Sequence, residues 1–205
     1  MVQTGRLQRD WFPLFLLALY GGVFVILAVA PYARDIWFAE NFPIVAIVAI
    51  LIILYIRGVR FSNLSYLLMS VLIFMHTVGG HYTFERVPFE WFNNFFGFER
   101  NNYDRIAHFS VGFYAYPIAE MLSRYALVKN RLLLYLFPLF AIVTVAAFYE
   151  IIEWLFAVMN DPEAGGAFLG SQGDEWDAQK DMLADTLGAV TALLLSAWQA
   201  AFRKM

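Results

Sequence analysis

The sequence predicts an all-α polytopic membrane protein, a bundle of six transmembrane helices with both termini cytoplasmic, and three observations carry that prediction. Of 205 residues, 61% are hydrophobic, with a mean hydropathy of +0.60, well above the roughly 45–50% apolar content of an ordinary soluble domain. Apolar runs recur near 12–31, 42–57, 62–82, 106–123, 132–157 and 182–201, each about long enough to cross a hydrocarbon core of roughly 30 Å as a helix. The basic residues are divided unequally between the connecting segments, which sets the direction of insertion.

The first run, 12–31, lacks a small-residue cleavage site after a short apolar core, so it is expected to be a retained span rather than a signal peptide. The second is the shortest: Phe42 to Ile56 is almost wholly apolar before Arg57 stops it. The runs 62–82, 106–123, 132–157 and 182–201 complete the count, and residues 1–205 form one integral membrane domain with no room for a separate soluble one. Arg6, Arg9, Arg57, Arg60, Arg124, Lys129, Arg131, Arg203 and Lys204 then lie on one side, against Arg34, Arg86, Arg100, Arg105 and Lys180 on the other. The positive-inside bias turns the loops 32–41, 83–105 and 158–181 outward. Segment 83–105 mixes phenylalanines with charged and amide residues and suits the lipid–water boundary, as an aromatic belt or as a lid over a site. Segment 158–176 is rich in Gly, Asp and Pro and is expected to be a loop.

A net charge of −3 without a long basic run argues against a nucleic-acid partner, and the absence of cysteine excludes disulfides and thiolate ligands. Chemistry must come from elsewhere. His76, His81, Asp104, His108, Glu150, Glu153, Asp177, Asp181 and Asp185 sit in or beside the apolar runs, where an ionisable group costs several kcal/mol unless it faces protein, pairs or binds an ion. The topology brings most of them to the outward ends of four helices. Asp104 and His108 are spaced i,i+4, Glu150 and Glu153 i,i+3, and Asp177, Asp181 and Asp185 repeat every four residues, so each group shares a helix face. Two carboxylates a turn apart in a poorly solvated place repel unless one is protonated or a cation lies between them.

Imidazole nitrogen with carboxylate oxygen is a ligand set for a divalent metal ion such as zinc. The expected metal ligands are drawn from His81, His108, Glu150, Glu153, Asp181 and Asp185. Glu150 or Glu153 suits a general base, and Asp104 a catalytic or orienting partner of His108. Each has a plainer alternative: Asp104 as an N-cap, Asp177 as a dipole partner in the first turn, the two glutamates as partners of Arg100, Arg105 or Lys180, and His76 as a core histidine. Arg86, Arg100 and Arg105 are candidate phosphate contacts or headgroup anchors. Gly79, Gly80 and Gly188 suit close helix packing.

The stretches HTVGGHYTFERVPF, NNYDRIAHFSVGF, FYEIIEWLFA and GDEWDAQKDMLADTLGA resemble the YjdF-like family of bacterial inner-membrane proteins over roughly residues 40–200. Asp104, Arg105, His108 and Phe109, followed by Asp181, Asp185 and Gly188, more distantly resemble the VanZ-like superfamily, with arginine for its usual lysine at 105 and aspartate for asparagine at 185. The resemblance implies cell-envelope chemistry around a shared polar site. The reaction expected is that of a metal-dependent hydrolase or transferase acting on a membrane lipid or lipid-linked substrate. The alternatives are an ion- or proton-coupled transporter and a non-catalytic lipid-binding protein.

Overall fold

The computed structural model describes residues 11–159, 169 and 171–202; Arg6, Arg9, Arg203, Lys204 and most of the predicted 158–176 loop lie outside them. Every regular element among the described residues is helical: α1 (Trp11–Leu27), α2 (Arg34–Ile56), α3 (Asn63–Tyr82), a 3₁₀ turn (Phe84–Arg86), α4 (Glu90–Phe96), α5 (Tyr103–Val111), a 3₁₀ turn (Gly112–Tyr114), α6 (Ala115–Arg124), α7 (Arg131–Met159) and α8 (Asp177–Phe202). Four of these, α2, α3, α7 and α8, are long and apolar enough to cross a bilayer, and α1 is a shorter apolar helix. Large apolar side chains such as Ile53, Leu132, Phe140 and Leu194 are exposed, as expected of helices whose outer faces meet lipid rather than water.

Helix α8 is the hub, packing against α5, the adjoining 3₁₀ turn, α6 and α7, while α3 packs against α1, α2 and α5. The approach of α8 to the middle of the α5–α6 segment depends on two glycines. A Cβ on Gly188 would lie 1.9 Å from the Phe109 carbonyl oxygen, and one on Gly112 would lie 2.2 Å from the Ala189 nitrogen. Small residues at a membrane-helix interface permit this backbone proximity. Gly80 has the same role between α3 and α2, where a Cβ would meet Asn41 at 2.9 Å.

Two predicted spans differ in form. The helix covering 42–57 begins at Arg34, eight residues earlier than the apolar run suggests, because Glu40 and Asn41 turn into the protein and are each 3% exposed. Glu40 meets His76 and Tyr149 there, while Arg34 and Asp35 in the first turn stay exposed. The run 106–123 is α5, a 3₁₀ turn and α6, interrupted where the Gly112 backbone abuts α8.

Helix ends have local causes. Ser62 caps α3 by accepting from the Ser65 amide, and the Glu120 carboxylate accepts from the Ser62 amide at 2.9 Å, placing negative charge at the positive end of the helix dipole. At the other end, Thr83 adopts a left-handed conformation with φ of 62° and turns the chain into segment 84–102. There Asn101 donates to the carbonyls of Glu85 and Val87, while the Asn93 side chain accepts from the Asn102 amide. These bonds fix α4 with Trp91, Phe95 and Phe96 exposed.

Candidate metal and acid–base site

The first turns of α5 and α8 bring their acidic faces together. On α5 the Asp104 and His108 side chains share a face one turn apart; on α8 Asp177, Asp181 and Asp185 form a line facing it, all three buried. Asp104, His108 and Asp181 each offer a ligand atom, and these atoms all lie within 4.8 Å of one another. His108 has a carboxylate on each side: its Nε2 is 3.7 Å from Asp104 Oδ1, and its Nδ1 is 3.3 Å from Asp185 Oδ2. Asp104 is not the N-cap of α5, a position held by Asn102; it lies within the first turn and faces the histidine.

Arginines enclose the outer side. Arg105 Nε stands 2.8 Å from Asp181 Oδ1 as an ion pair, and its guanidinium also reaches Asp177, with Asp174 at 3.1 Å. Arg100 contacts Asp177 at 2.5 Å, and Lys180 contacts Asp174 at 2.6 Å. The Lys180 ammonium, with help from the Trp176 amide and Arg105, holds the Asp174 carboxyl down at about 2. Asp177 is thus both a first-turn dipole partner and an anchor for two guanidinium groups. Arg86, by contrast, lies over the Tyr32 ring with its carbon 4.2 Å from the centroid, away from the acidic line.

Behind His108 lies a cavity of about 160 Å³, lined on its polar side by Glu40, His76, Asp104, Tyr149, Glu153 and Asp185. The rest of its lining is mostly apolar and includes Ile47, Leu72 and Val111. A larger cavity of about 310 Å³ among α1, α2 and α3 has no acidic, basic or histidine side chain in its lining, and another of about 450 Å³, at the far end of α6, is lined by Glu120 and Arg124 without a histidine; of the three, the smallest holds the histidines with the clustered carboxylates. Opposite His108, Glu40 Oε2 is 3.0 Å from His76 Nε2 and accepts a hydrogen bond from the Tyr149 hydroxyl at 3.2 Å. The Tyr149 ring stands between the two imidazoles, with centroids 6.2 Å from His76 and 6.4 Å from His108.

The structure therefore brings together Asp104, His108, Asp181 and Asp185, with Glu153 across the cavity. It does not bring His81 to them: His81 Nδ1 lies 2.7 Å from the Leu27 carbonyl and joins α3 to the end of α1. Glu150 is outside the cavity lining, and its Oε1 is buried without a hydrogen-bond partner among the described residues. Arg100 and Arg105 are held by carboxylates. Glu40, absent from the expected site, is central to it. A helical stripe of Ile36, Trp37, Glu40, Asn41 and Ile44, all buried on α2, is visible in the sequence once the helix is allowed to start before Phe42, and it would have pointed to Glu40.

Fold and site together define a helical membrane protein with a buried carboxylate–histidine cluster. The chain belongs to the family described as "Predicted membrane protein (DUF2238)", whose model matches residues 12–201. It is 32% identical over 194 residues to the inner membrane protein YjdF of Escherichia coli (strain K12), an alignment that covers 90% of this chain and 85% of that protein. No solved structure matches it.

Proposed function

We propose that the protein is a divalent-metal-dependent membrane enzyme, a hydrolase or transferase acting on a lipid or lipid-linked envelope substrate. In this reading it crosses the bacterial inner membrane six times, with both termini cytoplasmic and the site toward the outer leaflet. The observation that carries the reading is the approach of Asp104, His108 and Asp181 ligand atoms to within 4.8 Å of one another. Two carboxylates and an imidazole are a sound first set of ligands for zinc, manganese or iron. Asp185 holds His108 Nδ1 at 3.3 Å, leaving Nε2 for the ion, in the way that carboxylates orient metal-binding histidines. Arg105 neutralises one oxygen of Asp181 and leaves the other for the ion.

A bound ion supplies Lewis acidity and activates water. Glu153 and the Glu40–His76 pair line the same cavity and serve as proton acceptors. Glu120, at the opposite end of α6, is committed to Ser62, Ser65 and Arg124 and lines a cavity that shares no residue with the one beside His108, which supports separate pockets rather than a conduit. The inner-membrane name of the Escherichia coli relative supports the location.

Elemental analysis of protein purified in detergent without chelators tests the reading. The wild type should carry about one ion per chain, and a His108→Ala, Asp181→Ala double variant should carry far less, since a site of this kind fails when its ligands are removed. A metal-free wild type that does not take up zinc or manganese on titration would end the metal reading. With metal present, lipid turnover in reconstituted vesicles distinguishes an enzyme from a binding protein.

A further inference from the structure

The cavity beside His108 has walls from two helices that pack elsewhere. Helix α2 packs on α3, and α7 packs on α6 and α8; yet Glu40 and Ile47 of α2 face Val145 and Tyr149 of α7 across the same space. The polar link over this seam is the Tyr149–Glu40 hydrogen bond. Phe42 and Val45 on α2, and Phe148 and Ile152 on α7, are exposed alongside it, so in a membrane the seam opens to lipid. Along their helices Ile47 lies about two turns further in than Glu40, and Leu72 and Val111 about one turn further in than His76 and His108, so the lining becomes wholly apolar in that direction. That is the polarity of a lipid, head at the acids and chain toward the midplane.

Size and charge narrow the occupant. A volume of about 160 Å³ is below the roughly 300–1,000 Å³ that encloses a whole drug-sized ligand; it admits a headgroup and the start of a chain, with the remainder left in the bilayer through the seam. The lining contains four carboxylates, Glu40, Asp104, Glu153 and Asp185, against two histidines, with no lysine or arginine. With Asp104 committed to the ion and Asp185 to His108, Glu40 and Glu153 remain to face an occupant, and two carboxylates favour a headgroup that carries an ammonium over one that is purely anionic.

We infer that a phospholipid with an amine headgroup, of the phosphatidylethanolamine type, enters this site sideways between α2 and α7, with Glu40 and Glu153 receiving its ammonium. The inference names the substrate class of the proposed enzyme and rests on that reading for its chemistry, though lipid entry itself is measurable without turnover.

The full-length protein is reconstituted into vesicles with phosphatidylethanolamine carrying a photoactivatable diazirine on its acyl chain, or with the matched phosphatidylglycerol. Labelled residues are then mapped by mass spectrometry. Exposed Ile53 and Leu132 report ordinary lipid contact in every sample. The expected result is label on the interior residues Leu72 and Val111, several-fold stronger from phosphatidylethanolamine, and reduced at least several-fold by Val145→Trp. Val145 is 56% exposed, so the larger side chain can fill the seam without repacking the interior. Glu40→Gln should reduce the preference between the two lipids. Label confined to Ile53, Leu132 and other outer positions overturns lateral entry, and equal interior labelling by both lipids overturns the amine assignment. Metal content measured on the same preparations separates the two proposals: metal without interior label refutes entry alone, and interior label without metal refutes the enzyme alone.

Discussion

Replacing Gly188 with alanine should disturb the site without touching any of its side chains. The new Cβ would lie 1.9 Å from the Phe109 carbonyl oxygen, whereas ordinary contact begins at 3.4 Å; both neighbours are helix backbone, so α8 must move from α5 by about 1.5 Å. Asp185 lies one turn before Gly188 and travels with it. Its 3.3 Å approach to His108 then lengthens by up to about 1.5 Å, beyond hydrogen-bond range. Overpacking of this kind costs about 1–3 kcal/mol, and stranding the buried Asp185 carboxylate about 1–3 kcal/mol more. Loss of the carboxylate that orients a metal-binding histidine lowers affinity by about 10–100-fold. Thermal unfolding followed by tryptophan fluorescence in detergent, together with zinc titration against a chelating dye, reads both effects. Gly21→Ala is the control, because a Cβ there meets nothing within 4 Å. If Gly188→Ala matches Gly21→Ala in both stability and zinc affinity, the glycine contact does not hold the site together.

Further outcomes follow from the same geometry. Asp185→Asn keeps the volume but removes the charge behind His108, so zinc affinity should fall about 10–100-fold while unfolding temperature changes little; an unaltered affinity in chelator competition would contradict the orienting role. Arg105→Ala leaves the buried Asp181 without its guanidinium and should destabilise the protein by about 3–5 kcal/mol, with saturating zinc restoring part of the loss by binding only the folded state. A variant as stable as wild type without metal would refute the pairing. Asp174 is held down at about 2, chiefly by Lys180; its contribution is complete above the usual carboxylate value of roughly 3.9 and is lost as pH falls toward 2. Its carboxyl carbon resonance should titrate near pH 2 in wild type and closer to 4 in Lys180→Ala, and identical titrations would remove Lys180 as the cause.

Helix placement was readable because lipid-crossing segments must be apolar over a fixed length, and α1, α3, α7 and α8 lie close to the runs that signal them. The start of α2 was not readable in that way: Arg34, Asp35, Glu40 and Asn41 interrupt the apolar signal, and the last two are buried only because α3 and α7 supply neighbours for them. The i,i+4 spacing of Asp104 and His108 and the four-residue repeat of Asp181 and Asp185 gave faces, and helix packing set those faces against each other. His81 misled because its spacing from the end of α3 fixes its depth but not its azimuth, and it points toward Leu27. Glu40 was hidden by the same misplaced start of α2 that shortened the second span.

The 3₁₀ turn at Gly112–Tyr114 has an effect beyond accommodating α8. Twelve residues separate His108 from Glu120, an azimuth of about 120° in an unbroken α-helix; three residues at the tighter pitch add about 60°, so the two side chains leave the α5–α6 segment on nearly opposite sides. One serves the cluster on α8, the other the N-terminus of α3. A segment re-phased in this way cannot carry one continuous polar stripe along its length. The turn thus divides one stretch of chain between two separate polar clusters, each served by a different neighbouring helix.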